Sequence, residues 1–216
     1  MLDLRAPVRA DGPLVLADIG GYTGFLRSVA DAHQHDAFAD GAIPDAYGLV
    51  SSLLTGIVER LVPPFTLSKL EGDAVFAFSD ADENVPLGAQ LLAVLAACHE
   101  DFRGRLAMAH DVWTCTCDAC SRIDALELKF VVHAGPFVIQ SIAGSRELSG
   151  PDVVMAHRLL KTSAAQVIGT GAYALLTERA ASRFAVATED AHRLVESYEH
   201  YEPIELYAFA LRPAEN

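Results

Sequence analysis

The sequence predicts an α+β fold in which helices pack against a mixed, mostly antiparallel sheet. Three observations support this prediction. Short apolar runs typical of strands and longer runs with helical spacing follow each other in the order βααββαββαβαββ. No linker, repeat or low-complexity tract divides the chain. The 216 residues, 51% of them hydrophobic, are enough for one well-filled core.

The first predicted elements are a strand, a tight turn and a helix. Residues 1–13 contain two prolines and a glycine, and we interpret them as an N-terminal lead-in. Residues 14–17 (LVLA) predict a buried strand that ends at Asp18. Gly20 and Gly21 follow, and such a pair allows a tight turn into the next helix.

A second helix and a hairpin come next. Residues 43–61 carry apolar side chains at helical spacing, and a pair of prolines directly after them ends the helix. The apolar runs 65–70 and 74–78 flank a Gly-Asp pair, which is typical of a hairpin turn.

The remaining elements follow the same two periodicities. They are a helix over 86–108, a cysteine-rich insertion over 110–122, a hairpin of strands 126–133 and 136–142, a helix over 153–160, a strand over 172–176, a short helix from Thr177, and an antiparallel pair over 193–198 and 204–211. We therefore interpret residues 14–212 as one domain that carries the insertion.

Charge and composition exclude several classes of function. The chain has 16 basic and 29 acidic residues, a formal net charge of −13, which argues against a nucleic acid polymer or an anionic membrane as partner. No apolar run reaches the roughly 18 residues of a spanning helix. The N-terminal residues lack the apolar core of a signal peptide, so we expect a cytoplasmic location.

Two aspartates stand at predicted strand ends beside glycines. Asp18 follows the first strand, and Asp73 lies in the Gly-Asp turn of the first hairpin. Carboxylates placed where glycine lets the backbone approach suit a hard cation bound together with a phosphate group. Two alternatives remain open at this point, because Asp18 could cap the next helix and Asp73 could simply fill a turn.

Several motifs occur in the order that the class III nucleotidyl cyclase catalytic domain shows, and the chain resembles that family. The motifs are residues 16–23 (LADIGGYT), 69–77 (KLEGDAVFA), 133–138 (HAGPFV), 150–159 (GPDVVMAHRL) and 202–207 (EPIELY). The resemblance implies a ferredoxin-like nucleotide cyclase fold. The cysteine-rich insertion and residues 157–161 (HRLLK) are similar to an uncharacterised bacterial cyclase-like subgroup, the domain of unknown function 2652.

The resemblance implies a metal-dependent cyclisation of a nucleoside triphosphate. Asp18 and Asp73 would hold two Mg²⁺ or Mn²⁺ ions, with the carbonyl oxygen of Ile19 as a further ligand. The ribose 3′-hydroxyl would attack the α-phosphorus and release pyrophosphate. Arg158 matches the family arginine that neutralises charge on the α-phosphate. The segment expected to bind the triphosphate consists of Gly20, Gly21, Tyr22 and Thr23.

The resemblance also implies how the base is read and how the chains assemble. Lys69 matches the base-reading lysine, and Glu147 falls on the second base-reading position. Together they favour a base with a ring acceptor and an exocyclic amine, so ATP is the first expectation and a pyrimidine triphosphate remains open. In the family each site is shared between two chains, which implies a homodimer.

One position departs from the family pattern. Val154 stands where the family has a catalytic asparagine, and valine cannot donate a hydrogen bond to the ribose. Loss of one positioned polar contact costs on the order of 10²-fold in rate. Two hypotheses follow: a slowed nucleotidyl cyclase, or a degenerate cyclase fold that binds a nucleotide or a partner without turnover.

The cysteine-rich insertion places soft ligands close together. His110, Cys115, Cys117 and Cys120 lie within eleven residues, and thiolate with imidazole suits a structural Zn²⁺. Cys98 or His99 could replace His110. Reduced thiols in a flexible loop, a redox switch and a site bridging two chains are the alternatives. His33 and His35 lie among aspartates, and we interpret them as part of a solvated face.

Overall fold

The computed structural model describes residues 6–33, 43–80, 85–113, 115 and 117–211. The strands are β1 (Val8–Gly20), β2 (Thr66–Glu71), β3 (Ala74–Phe78), β4 (Glu127–Ile142), β5 (Ser145–Ser149), β6 (Tyr173–Thr177), β7 (His192–Glu196) and β8 (Ile204–Ala210). The helices are α1 (Tyr22–His33), α2 (Asp45–Leu61), α3 (Ala89–Val112), α4 (Pro151–Arg158), α5 (Ala164–Ile168) and α6 (Glu178–Arg183), with 3₁₀ turns at Cys120–Ala125 and Leu159–Lys161.

The eight strands of the described residues join one sheet in the order β2-β3-β1-β4-β6-β8-β7, and β5 pairs with the C-terminal part of β4. Every pairing is antiparallel except that of β4 with β6. The predicted α+β fold with a mixed, mostly antiparallel sheet is confirmed.

Helices cover both faces of the sheet, and β1 shows how its residues divide between them. Val15, Ala17 and Ile19 pack into the core formed with α1, α2 and α3, whereas Leu14 and Leu16 pack into the core formed with α4. Because both faces are buried here, residues 14–17 of the strand form an unbroken apolar run rather than an alternating one. The alternation of side chains places Asp18 on the α4 face.

Two predictions about strand boundaries are wrong. β1 begins at Val8, so residues 8–13 belong to the sheet and not to a lead-in. β4 is one continuous strand, because the extended β1 pairs with it beyond Gly135. The turn that reverses the chain lies at Ala143 and Gly144, both with positive φ, and it joins β4 to β5.

α3 begins and ends later along the chain than the sequence predicted, and its end determines where the insertion begins. The helix continues to Val112, so the first residues of the predicted insertion are helical. Among the described residues, no helix combines the length and the apolar character that a membrane span requires.

Candidate functional site

The ends of β1 and of the β2–β3 hairpin bring Asp18 and Asp73 together. Asp18 lies opposite Ala74 in the β1–β3 register, and Asp73 directly precedes Ala74, across from Ile19. The amide of Ile19 donates a hydrogen bond to the carbonyl oxygen of Asp73 at 3.2 Å. Gly72 has a positive φ of 66°, which makes the tight turn before Asp73 possible without strain.

The surroundings of Asp73 raise the pKa of its carboxyl group. Burial raises the pKa of Asp73, and the negative charge of Asp18 raises it further, while Lys129 and a backbone hydrogen bond act in the opposite direction. Two carboxylates that repel each other in a partly buried place gain most when a divalent cation lies between them. The oxygen donors therefore fit Mg²⁺ or Mn²⁺.

Lys129 is a charged partner that sequence reasoning missed. Its ammonium lies 2.9 Å from Oδ2 of Asp18, and the two side chains are only 21% and 16% exposed. It also donates a hydrogen bond to the carbonyl oxygen of Leu160 at 3.3 Å. This contact results from the register of β1 with β4, which sets Lys129 directly opposite Asp18.

We expect the Lys129→Met variant to be less stable without metal and to respond more strongly to Mn²⁺. Loss of the ammonium leaves Asp18 unpaired beside Asp73, which costs about 1–3 kcal/mol of unfolding free energy. A bound cation then replaces the missing positive charge. Thermal unfolding with and without Mn²⁺ measures both effects, and the exposed Lys161→Met variant is the control. An unchanged or smaller Mn²⁺ shift in Lys129→Met contradicts the expectation.

The start of α1 adjoins the carboxylate pair. The helix begins at Tyr22, directly after Gly20 and Gly21, and its first turn contains no acidic residue. Burial raises the pKa of the Tyr22 hydroxyl, and the nearby charge of Asp73 raises it further. The positive end of this helix and the backbone amides around Thr23 thus face the same end of the sheet and can bind phosphate oxygens.

A second polar cluster connects β2, β5 and α4. The ammonium of Lys69 lies 2.9 Å from Glu147 and 3.1 Å from Glu71. The hydrogen bond with Glu147 raises the pKa of Lys69, against the opposing effect of burial. The structure thus brings together the two side chains that the resemblance assigns to base reading, and it adds Glu71 to them.

His157 extends this cluster to α4, and sequence reasoning did not identify it as a partner of Glu71. Its Nε2 lies 2.8 Å from Oε2 of Glu71, and its Nδ1 lies 2.8 Å from the carbonyl oxygen of Val153. The ring meets Phe76 edge to face, with 4.9 Å between the ring centroids. This contact fixes α4 against the β2–β3 hairpin, although the two segments are far apart in sequence.

Arg158 and Val154 lie one helical turn apart on α4. Both line an open hollow of about 380 Å³ together with His157 and Lys161, and Val154 is 47% exposed. The Arg158 guanidinium lies 5.2 Å above the ring of Tyr201 and donates a hydrogen bond to the carbonyl oxygen of Glu199. These contacts hold Arg158 beside the β7–β8 connection.

The three insertion cysteines surround a histidine from α1. Nε2 of His33 lies 3.6 Å from Sγ of Cys115, 3.4 Å from Sγ of Cys117 and 3.8 Å from Sγ of Cys120. All four ligand atoms lie within 4.8 Å of one another. The interpretation of His33 as part of a solvated face is therefore wrong, and His35 lies outside the described residues.

His110 is not part of this group, which corrects the predicted ligand set. It lies exposed in the last turn of α3, and the cluster is completed from α1 instead. Cys98 and His99 are buried in α3, and burial raises the pKa of the Cys98 thiol to about 12. Spacing along the chain could not reveal His33, because 82 or more residues separate it from the cysteines.

Comparison with solved structures defines the class of the fold. Catalytic domains of adenylyl and guanylyl cyclases share it. The adenylyl cyclase CyaB from P. aeruginosa superposes with a TM-score of 0.64 at 13% identity, covering 94% of this chain and 95% of that one. A class III adenylyl cyclase-like ATP-binding protein from Pseudomonas aeruginosa gives 0.59 at 15% identity, covering 86% of this chain and 37% of that one. The chain thus has the class III nucleotidyl cyclase fold.

Within that fold, the chain belongs to the family described as "Protein of unknown function (DUF2652)", whose sequence profile matches residues 50–167. The predicted resemblance to this subgroup is confirmed. A curated relative, "Uncharacterized protein Rv2561/Rv2562" from Mycobacterium tuberculosis (strain ATCC 25618 / H37Rv), is 30% identical over 112 residues, which are 52% of this chain. The aligned part is 51% of that protein, so the chain spans about half the length of the curated relative it matches.

Proposed function

We propose that the protein is a metal-dependent nucleotidyl cyclase that converts a nucleoside triphosphate, with ATP as the first candidate, to a 3′,5′-cyclic mononucleotide and pyrophosphate. The observation that carries the proposal is the meeting of Asp18 and Asp73 beside the start of α1. Phosphoryl transfer needs little beyond positioning and neutralisation of charge, and this arrangement can supply both.

Each residue near the carboxylate pair has a role in the proposed reaction. Asp18 and Asp73 would hold two Mg²⁺ or Mn²⁺ ions, and the carbonyl oxygen of Ile19 would serve as an additional ligand. When bound, such ions would neutralise charge on the triphosphate and would lower the pKa of the ribose 3′-hydroxyl. The backbone of Gly20 and Gly21, with the first turn of α1, binds and orients the phosphate oxygens so that the 3′-oxygen lies in line with the α-phosphorus.

The second polar cluster would select the base. Lys69 donates a hydrogen bond to a ring nitrogen acceptor, and Glu147 accepts one from an exocyclic amine. Adenine offers both groups, cytosine fits nearly as well, and guanine, with an N1 donor and an O6 acceptor, fits worse. In the free chain Lys69 pairs with both Glu147 and Glu71, so a bound base has to take over part of that pairing.

We further propose that a homodimer forms the complete site. Arg158 contacts Glu199 and Tyr201 within the described chain, and it would neutralise the α-phosphate of a nucleotide whose metals are held by the partner's carboxylates. A symmetric dimer then has two equivalent sites, each built from both chains.

A mixing experiment tests this sharing. Asp73→Asn and Arg158→Ala should each be inactive alone, whereas a mixture recovers about a quarter of the wild-type turnover, since half of the randomly formed dimers carry one intact site of two. Cyclic nucleotide formation measures the recovery, and analytical ultracentrifugation shows that the variants form mixed dimers. Mixed dimers without any recovery contradict a shared site.

A second candidate function is nucleotide binding without turnover. Val154 removes the hydrogen-bonding group that the family places one turn before the arginine. One of the proteins that share the fold is described as a cyclase-like ATP-binding protein. Under this alternative Asp18, Asp73 and Lys69 still bind a metal–nucleotide complex, but the ribose is not oriented for attack.

Direct assay with Mn²⁺ and each of the four ribonucleoside triphosphates distinguishes the two candidates. The cyclase proposal expects a cyclic mononucleotide and pyrophosphate in equal amounts, with ATP turned over fastest. Calorimetric binding of ATP without any product supports the second candidate instead. Neither binding nor product with any of the four nucleotides contradicts both.

A further inference from the structure

We propose that His33, Cys115, Cys117 and Cys120 form a zinc site within one chain, and that this zinc anchors α1. The distances between the ligand atoms support the zinc site. In a tetrahedral site with Zn–S near 2.3 Å and Zn–N near 2.05 Å, nitrogen and sulfur lie about 3.6 Å apart. The three distances from Nε2 of His33 to the sulfurs are 3.4, 3.6 and 3.8 Å.

Hydrogen bonding alone does not account for this cluster. The Nε2 atom of an imidazole has one proton to donate or one lone pair to accept with, yet three sulfurs surround it at similar distances. A metal ion at the centre of the four atoms gives each of them a bond. The amide of Cys120 also donates to Sγ of Cys117 at 3.4 Å, an interaction that stabilises a thiolate ligand.

The donor set selects the kind of ion. Three thiolates and one imidazole are soft ligands, which suit Zn²⁺ and not the hard cations expected at Asp18 and Asp73. Four protein ligands leave no open position for substrate, so the zinc is structural. Because one chain supplies all four ligands, the site needs no second copy.

The position of the zinc site in the fold connects two segments that are distant along the chain. His33 is the last residue of α1, and the cysteines lie 82 to 87 residues further along the chain. A metal that closes so long a loop stabilises the folded arrangement of both segments. The 3₁₀ turn that begins at Cys120 also reaches the other end of α1, where a Cβ on Gly21 would lie 3.4 Å from the carbonyl oxygen of Ala125.

The zinc therefore holds α1 at its C-terminal end, while the start of the helix adjoins Asp18 and Asp73. We expect zinc loss to loosen α1 and with it the backbone of Gly20 and Gly21. Only the further expectation that this weakens binding of a metal–nucleotide complex rests on the proposed function; the zinc site and the anchoring of α1 do not.

Metal analysis of the wild-type protein, purified without chelator under reducing conditions, is the first test. We expect about one zinc per chain, since four protein ligands complete the coordination of one ion. Replacement of the zinc by Co²⁺ should give the visible absorption of tetrahedral cobalt together with thiolate charge-transfer bands. Less than about a tenth of an equivalent of zinc, with all thiols reduced and no uptake of added zinc or cobalt, overturns the proposal.

Variants then test the ligand set. His33→Ala should lose zinc, His33→Cys should keep it because thiolate replaces imidazole, and His110→Ala is the matched control that should keep it as well. Zinc that stays with His33→Ala and disappears with His110→Ala overturns the assignment of His33. The cobalt spectrum of the wild-type protein tests whether the cluster binds a metal ion, even if a variant fails to fold.

Hydrogen exchange tests the anchoring. After zinc is removed from the wild-type protein, the amides of α1 should exchange faster, while those in the middle of β1 and β4 change little. Equal protection of α1 with and without zinc overturns the anchoring role. No nucleotide is needed for this measurement or for the metal analysis, so their outcome is independent of whether the protein turns over a triphosphate.

Discussion

Asp73→Asn is expected to reduce cyclic nucleotide formation by about 10³-fold or more, because one of the two side chains that hold the metal ions loses its charge. The same variant should lose most of the stabilisation that Mn²⁺ gives the wild-type protein. Asp80→Asn, an exposed aspartate at the end of β3, is the matched control and should leave both properties unchanged.

The fold of Asp73→Asn should survive, which makes the result interpretable. Burial and the charge of Asp18 raise the pKa of Asp73, so the ionised carboxyl group costs free energy in the folded, metal-free protein. A neutral asparagine removes that cost, and the melting temperature without metal should be no lower than that of the wild type. Full turnover by a folded Asp73→Asn variant would show that the carboxylate pair does not hold the catalytic metals.

Val154→Asn has the largest expected effect in the opposite direction. Asparagine would return to α4 the group that orients the ribose, one turn before Arg158, and turnover should rise on the order of 10²-fold. Val154 is 47% exposed, so the exchange should change the unfolding free energy by no more than about 0.5 kcal/mol.

Val154→Ala is the control for this change, because it also removes the branched valine side chain but adds no hydrogen-bonding group. It should not raise turnover. A stable Val154→Asn variant no faster than Val154→Ala, measured with saturating Mn²⁺ and ATP, contradicts the assignment of this position to the ribose. If both remain inactive but bind ATP, the second candidate function gains support.

Much of the fold was predictable because its signals are local. Periodicity indicated most of the helices and strands in the observed order, although it missed α5 and β5, and the Gly-Asp pair indicated the first hairpin. The same reasoning failed at Gly135-Pro136, where a local signal for a turn is overridden by pairing with β1. Residues 8–13 were misread for the same reason, since their partner strand lies more than a hundred residues away.

In the candidate site, too, local sequence signals were predictive and long-range contacts were not. The glycine-flanked aspartates were visible in the sequence, and the structure places them side by side at one end of the sheet. Lys129 was not visible, because only the register of β1 with β4 sets it against Asp18. Glu71 and His157 meet only because α4 packs beneath the hairpin.

By itself, the sequence determined the class of fold, the order of most of its elements and the types of side chain available for chemistry. Each of these depends on interactions within a few residues, such as turn geometry and the burial of one helix or strand face. Tertiary structure alone decided that His33 and not His110 joins the cysteines, and that the ammonium of Lys129 faces Asp18. Such contacts depend on strand register and helix packing, which bring together segments whose separation along the chain carries no information about their distance in space.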